Sequence, residues 1–142
     1  MTETEKYLRL RELPMALPLF PLSGVLLLPG GQLPLNIFEP RYLRMIDDAL
    51  GEHRMIGMVQ PKGAARTGRK HPALFSIGCA GRITTFAETG DGRYLITLTG
   101  LKRFEIAREL PVDTPYRQAL VDWTRYQRDD IEDPSGALVD RA

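Results

Sequence analysis

The chain has 142 residues, the length of one ordinary domain, and its 43% hydrophobic and 26% charged residues are a globular composition, too apolar for a disordered chain. Nineteen basic and 18 acidic residues leave a formal net charge of +1, which argues against a protein built mainly to grip nucleic acid. The single cysteine, Cys79, rules out an intrachain disulfide and reads as a small buried residue in a reducing compartment.

Residues 1–14 form a charged leader, with a weak helical pattern at Tyr7, Leu8 and Leu10. The most apolar stretch, Met15 to Leu28, is too short to span a bilayer as a helix and is broken by Pro18 and Pro21. It lacks the basic start and small-residue cleavage site of a signal peptide, so the expected location is the cytoplasm, without a membrane partner. Pro14, Pro18, Pro21, Pro29 and Pro34 exclude helix and leave Leu17 to Phe20, Val25 to Leu28 and Leu33 to Ile37 as short extended segments. Ser23-Gly24 and Gly30-Gly31 mark turns between them, and strands that carry proline belong at a sheet edge.

Pro40 then opens a helix whose apolar face is Tyr42, Leu43, Ile46, Ala49 and Leu50, with Arg44 and Asp48 paired on the wet face and Gly51 as the stop. Beyond it the period changes to that of strands. Arg54 to Gln60 is a strand and residues 61–73 are a loop. Leu74 to Glu88 is a long strand interrupted by Gly78 and Gly81, and Gly90-Asp91-Gly92 is a hairpin turn. Tyr94, Ile96 and Leu98 share one strand face, Gly100 breaks that strand, and Leu101 to Leu110 continues after it. Tyr116 to Trp123 is the last strand, and residues 125–142 read as a polar tail, the start of a truncated helical extension. The main domain is therefore expected at 15–124. It is mainly β with one or two helices (α+β), with about six or seven mostly antiparallel strands in a partly closed barrel.

Several of these segments fall in a familiar order. Leu17-Pro18-Leu19-Phe20-Pro21-Leu22 and Leu28-Pro29-Gly30-Gly31 lead to Leu33-Pro34-Leu35-Asn36-Ile37-Phe38-Glu39-Pro40-Arg41-Tyr42, which resembles the opening of the amino-terminal domain of Lon proteases. Ile77-Gly78-Cys79-Ala80-Gly81-Arg82-Ile83, Asp91-Gly92-Arg93, Gly100-Leu101-Lys102-Arg103-Phe104 and Pro115-Tyr116 continue the resemblance over residues 16–123. It implies a PUA-like pseudo-barrel that contacts substrate polypeptides and helps an assembly form. It also implies motif positions at Glu39, Pro40, Arg41, Tyr42, Gly78, Gly81, Arg103 and Phe104. Some members of that family are free-standing, and this short chain resembles those.

The motifs of chemistry are missing from the sequence. Gly63 to Gly68 has the glycine spacing of a phosphate loop, but Arg69 stands where its lysine should be and His71-Pro72 obstructs the helix that should follow. Ser23 and Ser76 lack the strand–turn–helix elbow of a hydrolase, and His53 and His71 lie outside any metal-ligand spacing and read as surface residues. Glu39 reads as a group that satisfies backbone donors at the helix start, with Arg41 paired to a carboxylate elsewhere. No catalytic residue, cofactor or metal is expected.

Two main functions remain. In the first, Leu26, Leu27, Leu28, Leu33 and Leu35 supply an apolar patch for unfolded or tagged polypeptides, or for a protease partner in protein quality control or proteolysis. In the second, Lys62, Arg66, Arg69, Lys70, Arg82, Arg93, Lys102 and Arg103 make a PUA-like RNA-binding face, although the 61–73 loop, which has no acidic residue, also has no Phe, Tyr or Trp on which a base could stack. A third reading is architectural, with a homodimer formed through the helix or an uncovered strand edge.

Overall fold

The computed structural model of the chain describes residues 13–63 and 72–125. Among these are six strands and one α-helix: β1 (Ala16–Pro21), β2 (Gln32–Ile37), α1 (Pro40–Leu50), β3 (Met55–Val59), β4 (Ile77–Glu88), β5 (Tyr94–Glu109) and β6 (Gln118–Asp122). The sheet runs β2-β5-β4-β3-β1-β6, and β6 also pairs with β5. Strands β5, β4, β3, β1 and β6 therefore close a ring, and β2 is the remaining edge. The pairings are antiparallel except between β1 and β3, which are parallel.

Closure depends on the length of β5. Its residues 94–99 pair with β2, its residues 105–109 pair with β6, and β4 lies along its other side. Gly100 does not break this strand, as the sequence suggests. It sits beside a register shift, where Ala80 faces Lys102 while Gly81 faces Gly100. The shift re-aims the second half of β5 without ending the ladder.

The two prolines of β1 fall where ladders end, but β1 is not an edge strand. Its Ala16, Leu17 and Pro18 pair with β6, and its Leu19, Phe20 and Pro21 pair with β3. Each proline is thus the last residue of one pairing, where its missing N–H costs least. Pro34 lies in the edge strand β2, as expected. Val25 to Leu28 is not a strand at all but part of the loop from β1 to β2.

The closed ring buries Leu17, Leu19, Met55, Val59, Ala80, Phe104 and Ala119 together. Phe104 fills the space left by Gly57 and Gly78: a Cβ on either glycine would lie 2.8 Å from the tip of its ring. The second core lies between sheet and helix, where Tyr42, Met45, Ile46 and Ala49 of α1 pack with Phe20, Ile56, Met58, Ile83, Ile96 and Leu98. Met45 belongs to the buried face, while Leu43 and Leu50 sit at its margin. Gly51 ends the helix in right-handed geometry, and the left-handed residue of the connection is Arg54, at φ 61°.

Candidate functional site

The loop between β1 and β2 is held at several points. The Leu22 N–H donates to the Val59 carbonyl (3.1 Å), and Gln60 Nε2 donates to the Val25 carbonyl (3.1 Å). At the far end the N–H of Gly30 donates to the Gly100 carbonyl and that of Gly100 to the Gly31 carbonyl, both at 2.8 Å. Between these ties Leu27 turns inward and is only 5% exposed. It enters a slot made by two glycines. A Cβ on Gly81 would lie 2.8 Å from Leu27 Cδ2, and one on Gly100 would collide with the Leu28 carbonyl oxygen.

With Leu27 fixed, its neighbours cannot follow it. Leu26 is 70% exposed and Leu28 53% exposed. They line a groove of about 110 Å³ together with Met58, Gln60, Ile77, Cys79 and Arg103. Two residues before Ile77, Phe75 is 51% exposed, and the Lys62 ammonium lies 5.5 Å from its ring centre. Of the five leucines expected in a patch, Leu26 and Leu28 are presented. Leu27 is a core residue, and Leu33 and Leu35 are half-buried against the helix-side core.

A wider depression of about 440 Å³ lies on the ribbon of β2, β4 and β5, lined by Pro34, Phe86, Leu95 and Thr97 among others. It adjoins the free edge of the sheet, where Pro34 removes a donor that an added strand would need.

The structure places the remaining motif residues in structural roles. Pro40 opens α1, and Tyr42 packs on Phe20 with ring centres 4.4 Å apart. Burial is the main cause that pushes the Tyr42 phenol up. Glu39 precedes the helix, but its side chain makes no cap; its backbone carbonyl accepts from the N–H groups of Tyr42 and Leu43, both at 2.9 Å. Its carboxylate instead takes the guanidinium of Arg41 at 3.1 Å, so Arg41 is paired with Glu39 itself rather than with a distant acid. The Arg44–Asp48 pair is present at 3.2 Å.

Two contacts were not legible in the sequence. Tyr94 donates its hydroxyl to Asp47 (2.7 Å), and Tyr116 donates to Asp48 (2.6 Å). They fasten adjacent helix carboxylates to the start of β5 and to the segment just before β6. Both tyrosines sit on strand-patterned runs, and nothing local in the sequence signals a partner 47 or 68 residues away.

Among the described residues, the side chain in the groove's lining that carries a nucleophilic atom is that of Cys79. Cys79 is buried, His53 is exposed, and no group of three metal-ligating side chains occurs among the described residues. Of the basic set, Lys102 is fully buried and Arg93 pairs with Asp91 at 3.3 Å beside Phe38, while Arg66, Arg69, Lys70 and His71 lie outside the described residues, as do the leader's first 12 residues and the tail beyond Arg125. No described helix is long and apolar enough to cross a membrane.

Comparison with known proteins agrees with this architecture. Residues 16–141 match the family model described as the ATP-dependent protease La (LON) substrate-binding domain. Lon protease 2 of Myxococcus xanthus is 32% identical over 111 residues, 78% of this chain and 13% of that protein. Lon protease of Flavobacterium johnsoniae is 30% identical over 131 residues, 92% of this chain and 16% of that protein. The chain thus spans a small fraction of the length of these relatives. Among solved structures, a Lon N-terminal domain protein from Xanthomonas campestris superposes with a TM-score of 0.63 at 31% identity, over 87% of this chain and 68% of that one. The N-terminal domain of the Mycobacterium avium complex Lon protease shares the fold, with a TM-score of 0.59 at 15% identity over 77% of this chain and 54% of that one. With a family match over residues 16–141 and relatives at 30% identity or more over most of the chain, the chain belongs to the Lon substrate-binding domain family.

Proposed function

We propose that this domain is a non-catalytic recruitment module that binds apolar segments of unfolded or tagged polypeptides and delivers them to proteolysis or quality control. The observation that carries the reading is the outward pair Leu26 and Leu28, which a buried Leu27 and two glycines hold in solvent beside a groove. Exposing two large apolar side chains, one on each side of Leu27, on an otherwise well-tied loop costs solubility and contributes nothing to the core, and contact with another apolar surface offsets that cost. The family supports polypeptide as the ligand class. The groove, at about 110 Å³, is smaller than the roughly 300–1,000 Å³ of small-molecule sites, so chemistry on a small molecule is not its natural use.

The test is binding of a fluorescently labelled, permanently unfolded polypeptide to the full chain and to its Leu26→Ser/Leu28→Ser variant. Loss of binding in the variant, with an unchanged melting temperature, supports the reading. Equal binding by both proteins refutes the loop as the site.

A further inference from the structure

We infer that the end of β4 that outruns β3 takes an extended polypeptide segment as an added strand. This edge is separate from the leucine groove, which touches β4 at its other end, at Ile77 to Cys79. Strand β2 is the one strand outside the ring, but β4 of the ring is longer than its neighbour. Strand β3 pairs with β4 only as far as Arg82, whereas β4 runs on beside β5 to Glu88. Residues 84–88 are all exposed. The direction of their backbone groups follows from the hairpin. The Thr89 N–H donates to the Arg93 carbonyl at 2.8 Å, so antiparallel alternation turns Ala87 and Thr85 toward β5 and Phe86 and Glu88 away from it. Ile83, also turned away, donates its N–H to the Arg54 carbonyl at 2.8 Å. Beyond it, no described residue takes the outward N–H and C=O groups of Phe86 and Glu88.

Unpaired backbone groups in this alternating order fit one kind of partner, another extended backbone. The opposite edge of the same ribbon is closed to such a partner, because Pro34 of β2 lacks the N–H that an added strand would use. Residues 84–88 hold no proline. Their side chains set a preference as well. Phe86 is 42% exposed and meets Tyr94 edge-on at 4.9 Å, whereas Thr85 and Ala87 present small groups on the other face. An added strand with large apolar or β-branched residues at alternate positions lays them beside Phe86. A second copy of the chain is the poorer occupant, since five exposed residues are few against the roughly 20–30 residues a side of a stable interface. A transient contact with an unfolded segment needs no more than this edge offers.

The probe is a peptide of alternating valine and threonine with lysines at its ends, and its control is the same peptide N-methylated along its whole backbone. The control keeps the side chains and loses the donors. Amide hydrogen exchange of the full chain, followed residue by residue by NMR, should slow about tenfold at Phe86 and Glu88 with the plain peptide and stay unchanged with the N-methylated one. Glu88→Pro should weaken binding of the plain peptide about fivefold or more, while Glu88→Gln, which keeps the N–H, should bind as the parent does. Should the proline variant melt early, the two peptides decide the matter on the parent chain. Equal binding of the two peptides, or no slowing at Phe86 and Glu88, overturns the inference. Protection of these amides that appears without peptide and grows with chain concentration gives the edge to a second copy and overturns it too. Unfolded polypeptide that binds through Leu26 and Leu28 without slowing the edge amides overturns the added strand alone. Slowing at the edge, with equal binding of unfolded polypeptide by the parent and Leu26→Ser/Leu28→Ser, overturns only the groove.

Discussion

Leu26, Leu27 and Leu28 are chemically identical and adjacent, and the fold gives them different surroundings. Leu27→Ala should cost about 2–5 kcal/mol, since it empties a filled slot between the two glycines. Serine at Leu26 or Leu28 should stay within about 0.5 kcal/mol of the parent, as exposed substitutions do. Urea denaturation of the three variants checks that order. Glycines show the same logic. A methyl at Gly78 meets the Met58 backbone carbonyl at 2.5 Å, whereas at Gly81 it meets side-chain atoms alone, Leu27 Cδ2 at 2.8 Å and Leu98 Cβ at 3.1 Å. Gly78→Ala should therefore be the more destabilising of the two. Glu39 changes standing in the other direction. A helix cap would be worth about 1 kcal/mol, but the observed role is an exposed pair with Arg41, so Glu39→Ala should cost less than about 1 kcal/mol in thermal denaturation.

At the scale of elements, the helix shows what a sequence discloses and what it hides. Proline at the start, an apolar stripe at three-to-four spacing and a glycine stop are local signals, and the observed helix spans the residues they mark. The bonds that fasten it are nonlocal and left no signal. Tyr116 illustrates their energetics. Burial first, and then its bond to Asp48, push the Tyr116 phenol well above its usual value of 10.0. A tyrosine raised in the folded state contributes its stability in full below its unfolded value, and that contribution is lost as pH climbs toward the folded one. Stability should hold to about pH 10 and fall above it, with Tyr42 and Tyr94 adding to the slope because they are raised too. Tyr116→Phe should cost about 1.5–3 kcal/mol at neutral pH and flatten that alkaline decline, as read from denaturation at stepped pH. The connection that follows the helix holds a reserve. Arg54 donates its N–H to the Ala49 carbonyl and accepts from Ile83 while held in left-handed geometry, which costs a non-glycine residue about 1–2 kcal/mol. Arg54→Gly should raise stability by up to about 1 kcal/mol after the entropy cost of glycine.

For the whole molecule, the strands were legible as alternating runs, but their closure was not. Ring formation rests on one 16-residue strand that serves β2 and β6 in turn, and the glycine that looked like its end is the place where it changes direction. Periodicity reports which face a residue takes; it does not report which strand stands beside it. For the same reason the apolar run 25–28 reads as a strand: nothing in four hydrophobic residues announces that the third, Leu27, packs against Gly81 and Gly100 of β4 and β5. The presented leucines are thus a product of topology, of a loop drawn across the ring where two strands lack side chains. The most direct measurement is fluorescence anisotropy of a labelled unfolded polypeptide titrated with the parent chain and with Leu26→Ser/Leu28→Ser, after both proteins have been shown to melt at the same temperature. Saturable binding by the parent, weakened at least about tenfold in the variant, is the predicted result. Undiminished binding by the variant would contradict the loop as the site of recruitment.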